Sequence, residues 1–331
     1  MSGPDRNNPY SFDPFLERRE KFDYYRDSDA LPALLRHYAG ADAAAVEPRV
    51  EDVSRQASTR WRDLARINSL PENRPWMMHY DGHGHRIDRI VRPEESHMLE
   101  REIFGLGLFS EKTNRWERLA KLLIIHQNGE HSVTCALACT EGLVALCDAF
   151  VETATDPVKQ VWRHCKEGVD GNFGTASQFL TEIQGGSDVP ANRVEAEPDG
   201  DAFRLYGTKF FCSACHTDYA LVTAKVTGQE TVTTFIVPSW LTAEDRAAER
   251  RNGYRINRIK RKLGTIELPT AEIEYDGAVA WPIGPIGKGL ANVVGYVLTT
   301  SRIAVSISNV AAMLRATREA ALYGDFREVF G

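Results

Sequence analysis

Residues 289–314 are the most apolar long stretch of the chain, and they constrain the fold more than any other feature. The run GLANVVGYVLTTSRIAVSISNVAAML is long enough, as a helix, to span a bilayer. Arg302 stands in its middle, with Thr299, Thr300, Ser301, Ser306, Ser308 and Asn309 around it. A central guanidinium is costly in lipid. The run therefore reads as a helix of a soluble bundle and not as a membrane span. Leu290, Val293, Val294, Val297, Leu298, Ile303, Val305, Ile307, Val310, Met313 and Leu314 circle that helix instead of lining one stripe. A single docked face leaves several of them in water, each forgoing about 1.5–3 kcal/mol of burial. A helix over 289–322, covered by protein beyond these 331 residues, is the expectation, and the chain by itself is expected to self-associate, aggregate or need a partner.

Upstream, the pattern changes once. Residues up to about 170 read as helices: 30–38, 95–108 and 132–151 carry apolar residues at three- and four-residue spacing. Breaks fall at Leu70-Pro71-Glu72-Asn73 and at Gln127-Asn128-Gly129-Glu130. From Ala176 onward, short β-type runs alternate with turn residues, at 193–197, 203–207, 209–211, 219–224, 232–237 and 271–275. Such spacing predicts a small antiparallel barrel or sandwich. Gly284, Gly287 and Gly289 punctuate the loop before the long helix. The order of elements makes an α+β chain with segregated layers, divided as a helical domain 1–172, a β domain 173–284 and the first helix of a bundle, 285–331.

With 43% hydrophobic and 26% charged residues, the composition is that of a soluble globular protein. A net charge of −6 calls for neither nucleic acid nor an anionic membrane as partner. The N-terminus carries no basic segment followed by an apolar one, so the six cysteines are expected to be reduced thiols in a cytoplasmic protein.

Three segments carry candidate chemistry. In Leu180-Thr181-Glu182-Ile183-Gln184-Gly185-Gly186-Ser187-Asp188, a strand is drawn to Thr181 and a glycine-rich turn follows. Glycines admit close backbone approach, consecutive amides form an anion nest, and the Ser187 hydroxyl suits a phosphate oxygen. Taken alone, the segment is an ordinary tight turn. In Gly207-Thr208-Lys209-Phe210-Phe211-Cys212-Ser213, an aromatic lies two residues before a hydroxyl on a strand, hence on the same face. A planar ligand could lie on the ring while the hydroxyl reaches a heteroatom; alone, the phenylalanine is a barrel core residue. The third segment, Arg327-Glu328-Val329-Phe330-Gly331, follows the long helix and by itself is a solvated turn.

In this order and at these spacings, the three segments resemble the acyl-CoA dehydrogenase family, with its TE-x-x-(A/G)-G-S-D, G-x-K-x-(W/F)-x-(S/T) and R-x-x-F-G segments. The TE-x-QGGSDV form, the double phenylalanine of Lys209-Phe210-Phe211-Cys212-Ser213, Lys262-Leu263-Gly264, and the stretch HYDGHGHRID at 79–88 are most similar to its adaptive-response, alkylation-protection branch. The resemblance implies an N-terminal helical domain, a middle β-barrel and a C-terminal helical bundle of which this chain holds the start. It implies FAD as cofactor, with Leu180 and Thr181 at the flavin pyrimidine edge, Gly186 and Ser187 at the pyrophosphate, Phe211 against the isoalloxazine and Ser213 near N5. Arg327 and Phe330 match residues that reach the FAD of a neighbouring subunit, which implies a homo- or hetero-oligomer. The implied reaction is α,β-dehydrogenation of an acyl-CoA thioester, a glutamate removing the α-proton and the flavin taking the β-hydride, with electron-transfer flavoprotein as acceptor.

The sequence departs from that pattern in places. Ser301 stands before Arg302, where one form of the family carries the glutamate base; a hydroxyl does not serve as a carboxylate base near neutral pH. The other form carries it about a hundred residues further on, beyond Gly331. No residue is assigned as the base, and these 331 residues alone are expected to lack dehydrogenase activity. Thr265-Ile266-Glu267-Leu268-Pro269 replaces a segment that usually holds an arginine. A non-catalytic FAD-binding or scaffolding subunit paired with an active dehydrogenase, or an alkylation-response-type flavoprotein, is the alternative reading.

Other patterns carry less. Cys212-Ser213-Ala214-Cys215-His216 matches C-x-x-C-H, but haem attachment needs export, and on a strand Cys212 and Cys215 face opposite ways. The basic run Arg258-Ile259-Lys260-Arg261-Lys262 reads as a solvated strand-loop face. No metal-ligand spacing links His79, His83, His85, His126 or His131.

Overall fold

A computed structural model of the protein describes residues 11–329. In chain order it contains helices α1 (Asp13–Lys21), α2 (Leu31–Ala39), α3 (Ala43–Ala57) and α4 (Arg60–Asn68), then a hairpin of β1 (Trp76–Tyr80) and β2 (Arg86–Val91). Helices α5 (Glu94–Phe104), α6 (Arg115–His126), α7 (His131–Phe150) and α8 (Asp156–Glu167) follow. The strands are β3 (Ala176–Phe179), β4 (Glu195–Asp199), β5 (Ala202–Ser213), β6 (Tyr219–Val226), β7 (Val232–Pro238), β8 (Tyr254–Ile259) and β9 (Thr270–Pro282), with the short helix α9 (Ala243–Ala247) before β8. The chain then enters α10 (Gly289–Asn292), a π-helical turn over Val293–Leu298, and α11 (Thr299–Phe326). The expectation of helices throughout the first 170 residues is corrected at the hairpin. Its turn, Asp81-Gly82-His83-Gly84, is organised by the Asp81 carboxylate, which accepts from the His83 and His85 amides.

Two compact units divide the chain. One takes residues up to 64, 114–129 and those from 305 onward. It is helical, with Leu31, Leu35, Val46, Val50, Val53, Leu122 and Ile125 buried. The buried Glu117 of α6 accepts two hydrogen bonds from Arg49 of α3 and pairs with Lys121 one turn on. Phe12 and Phe15 pack against Tyr323 and Phe326 at the end of α11.

The other unit holds 65–113 and 130–304. Its strands close on themselves: β6 pairs β4, β4 pairs β5, β5 pairs β9, β9 pairs β7, and β7 returns to β6. Two links in that ring are thin: β7 meets β9 only at Phe235↔Pro282 and Ile236↔Trp281, and β4 meets β6 only at Glu195↔Lys225 and Ala196↔Val226. Phe179, Leu205, Val222, Phe235, Ile256, Ile273 and Tyr275 fill the interior. The barrel is mixed, not purely antiparallel, because β3 and β4 both run parallel to β6. All of β7 is buried, on both faces. Its Thr233 and Thr234 hydroxyls serve the incoming helix, accepting from the Gly287 amide and from Asn292. The chain approaches so closely there that a Cβ at Gly289 would lie 2.7 Å from the Val232 carbonyl oxygen.

Helix α7 is long and apolar, and over half of its most apolar window is buried. It and the 289–326 helix are both long and apolar enough to cross a membrane by length and composition. Along the latter, only Val293, Val297, Ala304, Ile307 and Ala311 are buried hydrophobics. Ile303, Val305, Val310 and Met313 are 55%, 58%, 47% and 68% exposed, so part of the circle of apolar residues read from the sequence is exposed surface, while Val293, Val297 and Ile307 are covered.

Glu130 caps α7, accepting from the Ser132 and Val133 amides at 3.1 and 2.8 Å. Burial, with Glu267 nearby, pushes its carboxyl up to about 7 from an ordinary 4.5. The folded chain therefore holds this proton more tightly than the unfolded chain. The resulting stability is present below pH 4.5 and is lost as pH rises through 7. Relative to a Glu130→Gln variant, which keeps an acceptor and cannot ionise, the wild type should lose on the order of 1–3 kcal/mol between pH 4.5 and 8. Parallel denaturant titrations across that range measure it; a flat difference contradicts it.

Candidate functional site

The two central motif segments meet at the ends of β3 and β5. Strand β3 stops at Phe179, two residues earlier than the sequence suggested, and the chain turns through Leu180 and Thr181. Strand β5 carries a bulge: Lys209 pairs with Ile273, yet Cys212 pairs with Ala271, so three steps on one strand face two on the other. The extra residue frees the Phe210 amide from the ladder, and it donates to the Thr181 carbonyl at 2.9 Å. That bond joins the two segments.

A buried ion pair joins them again. Lys209, fully buried, donates to Glu182 Oε1 at 2.8 Å, to the Leu180 carbonyl at 3.2 Å and to Thr223 Oγ1 at 3.3 Å. Glu182 accepts in turn from the Arg193 and Val194 amides. Burial holds the Lys209 ammonium down to about 8, with the Glu182 carboxylate opposing the shift. Asn192 also donates to the Leu180 carbonyl. The start of the turn is thus fixed from below, while Ile183, Gln184, Gly186, Ser187 and Asp188 are exposed.

On the outside, the bulge turns Phe211 outward, 51% exposed, while Cys212 is buried. Phe210 and Phe211 meet edge to face with centroids 5.0 Å apart, and Lys260 Nζ lies 3.4 Å and 4.4 Å from the two rings. Two residues on, Ser213 Oγ lies 3.0 Å from Thr270 Oγ1, which also accepts from Lys262 Nζ at 3.1 Å. A hydroxyl has one proton and two acceptor sites. Thr270 can therefore donate to Ser213 Oγ, leaving the Ser213 proton for a ligand. Next to Thr181, a Cβ on Gly186 would sit 2.7 Å from the threonine Oγ1, so the absence of a side chain at 186 keeps that hydroxyl in place.

Leu180, Thr181, Gly186, Ser187, Phe211 and Ser213 thus lie along one connected stretch of surface. An exposed ring, a hydroxyl beside it and an exposed glycine turn fit a ligand with a planar heterocycle and an anionic linker. Arg327 belongs to the other unit, exposed just past α11 with its amide on the Tyr323 carbonyl. Phe330 lies outside the described residues. Ser301 Oγ is 3.5 Å from Gln178 Nε2, which also donates to the Cys139 carbonyl. Glu267 accepts from the His131 amide at 2.9 Å.

The sequence did not single out Lys260, Thr270, Gln178 or the Lys209–Glu182 pair. Only the lysine at an inward strand position of β5 carried a signal, since an isolated inward charge demands a partner. Cys212 and Cys215 are both buried in the barrel, not on opposite faces, because β5 ends at Ser213 and Ala214 takes a left-handed φ of 53°. The basic run is spread along β8 and the loop beyond, with Arg258 and Lys260 both paired to Glu272 of β9.

Comparisons with known proteins agree with this geometry. The family model described as acyl-CoA dehydrogenase, middle domain, matches residues 177–278, which include all the site residues named on β5 and the glycine turn. The chain is 29% identical to acyl-CoA dehydrogenase family member 11 of Caenorhabditis elegans over its whole length, covering 53% of that protein. It is 27% identical to AidB of Escherichia coli (strain K12), over 93% of this chain and 57% of AidB. The crystal structure of Caenorhabditis elegans ACDH-11 in complex with C11-CoA superposes with a TM-score of 0.85 at 26% identity, over 93% of this chain and 54% of that one. The chain spans a little over half the length of these relatives. Helical N-terminal region, middle β-barrel and C-terminal helix make an acyl-CoA dehydrogenase-like fold. Residues 177–278 match the middle domain of the acyl-CoA dehydrogenase family, and over nearly its whole length the chain is similar to proteins of that family.

Proposed function

We propose that this chain carries the FAD-holding part of an acyl-CoA dehydrogenase-type oxidoreductase. The observation that supports it best is the bulge in β5, which aims Phe211 and Ser213 outward beside the turn held by Lys209 and Glu182. Bound FAD supplies the hydride acceptor. The residues of this chain hold and orient: Phe211 backs the ring system, Ser213 donates a hydrogen bond to a ring heteroatom, Leu180 and Thr181 meet the pyrimidine edge, and Gly186 and Ser187 receive the pyrophosphate. The substrate is an acyl-CoA, the acceptor electron-transfer flavoprotein, and the assembly a cytoplasmic oligomer in which Arg327 and Phe330 reach a neighbour's cofactor. The functional division runs 1–172, 173–284 and 285–331.

Ser301 favours a second reading for these residues taken alone. Its hydroxyl is engaged by Gln178, at the position where one form of the family has its base. The chain then holds the cofactor and the carboxylate comes from elsewhere, in a longer polypeptide or in a partner.

The purified protein, reconstituted with FAD and desalted, should keep a flavin absorbance spectrum and release FAD on denaturation, by mass spectrometry. Phe211→Ala should lower retention. A preparation with no retained flavin sinks the reading. With flavin retained, bleaching by C11-CoA, the ligand in the ACDH-11 structure, separates the two readings.

A further inference from the structure

A polar cavity of 410 Å³ opens in the barrel unit, away from the glycine turn. It is bordered by Thr175 before β3, Asp218 before β6 and Trp240 after β7, at the end where β3 and β6 start, whereas residues 180–187 follow the end where β3 stops. Arg89, Arg92, Arg101, Arg246 and Arg251 line it, against three carboxylates, Glu100, Asp218 and Glu249. The wall thus carries two positive charges in excess, on a chain whose net charge is −6. A concave, low-dielectric wall focuses such a field toward an anion.

The guanidiniums are not equally engaged. Arg89 is tied to Glu249 by two hydrogen bonds, and Arg92 to Glu100 by two, at 2.8 and 3.3 Å. Arg246 meets Asp218 by one contact of 3.0 Å, its side chain 60% exposed. Arg251 donates to two neutral acceptors, the Tyr254 hydroxyl and the Asp88 carbonyl, and its guanidinium lies 4.4 Å from the Trp240 ring. Each guanidinium has five N–H donors, so both retain several. Among the described residues, three buried nitrogens at this cavity lack a hydrogen-bond partner: Arg92 Nε, Arg251 Nε and His216 Nδ1. Buried polar atoms are rarely left so, and three around one cavity mark it as more than a gap in the packing.

We propose that this cavity binds a small phosphate-bearing anion, with Arg251 and Arg246 holding the phosphate and Trp240 forming the wall beside the remainder of the ligand. The fork of a guanidinium matches phosphate oxygens in pairs, and a dianion balances the excess charge. The room exceeds that needed by inorganic phosphate alone, which favours an ester.

Isothermal titration of the full chain with FAD bound, using inorganic phosphate and phenyl phosphate as probes, tests this. Saturable binding is expected, weakened at least tenfold by Arg251→Gln and by Arg246→Gln, and weakened by added NaCl. Tighter binding of phenyl phosphate assigns an ester to the site; equal binding assigns free phosphate. No saturable binding of either probe, or binding untouched by both substitutions, overturns the proposal. Arg246→Gln removes an exposed side chain and keeps the test decisive should Arg251→Gln prove unstable. Retained flavin absorbance in both variants separates this outcome from any failure of the FAD reading.

Discussion

Replacing Lys209 with methionine is expected to lower the unfolding free energy by about 3–5 kcal/mol, a large part of the 5–15 kcal/mol typical of a folded domain. Methionine fills a similar volume, so packing changes little. What changes is charge. Glu182 stays behind as a buried carboxylate without its cation, and the Leu180 carbonyl and Thr223 hydroxyl lose a donor. The Arg193 and Val194 amides still bond the carboxylate, but they do not neutralise it. The double variant Lys209→Met/Glu182→Gln should therefore recover part of the loss. Denaturant titration of the wild type, the two single variants and the double variant gives the coupling energy directly. A Lys209→Met protein within about 1 kcal/mol of wild type would show that the pair does not hold the barrel to the turn.

The second large effect falls on cofactor affinity, with the fold intact. Gly186→Val puts a branched side chain where even a Cβ lies 2.7 Å from Thr181 Oγ1. The threonine hydroxyl must leave its place, and the exposed turn gains bulk on the surface assigned to the pyrophosphate. Losing two hydrogen bonds to a charged group, at about 1.5 kcal/mol each, weakens FAD binding on the order of 100-fold. Since residues 186–188 are exposed, the global stability should change little. Fluorescence titration with FAD measures the affinity, and thermal unfolding of the apoprotein provides the control. An unchanged affinity would remove the glycine turn from the site.

Much of this architecture was legible because local pattern and tertiary role agree. Residues 219–224 and 232–237 read as strands from their β-branched content, and they pair as β6 and β7. The apolar spacing of 132–151 gave α7 to within a residue. What the sequence withheld depends on contacts across long separations. From Leu205, strict alternation puts Lys209 and Phe211 on the same inward face; the bulge between Lys209 and Cys212 reverses the second, and nothing local announces it. Lys209 finds Glu182 across 27 residues, a pairing that no spacing rule predicts. Strand β8 was missing from the β-type runs because Arg255 and Arg258 mask its buried Tyr254 and Ile256, and the carboxylates that neutralise those cations lie on β9. The hairpin was hidden inside a region whose other segments are helical, its histidine-rich turn resembling no helix signal but carrying little β-branched content.

A closed ring of strands has no free edge, and so no obvious place to begin coming apart. Here the ring is held at two points by two residue pairs each, Phe235↔Pro282 with Ile236↔Trp281 and Glu195↔Lys225 with Ala196↔Val226, while β5 and β9 run together over most of their length. Pro282 has no amide hydrogen to contribute. The barrel is thus less a cylinder than a wrapped sheet with two clasps, and thermal opening concentrates at them. Trp281 sits on one of them, partly buried, so its indole emission, isolated as the difference between the wild type and Trp281→Phe, reports whether the wrap is shut.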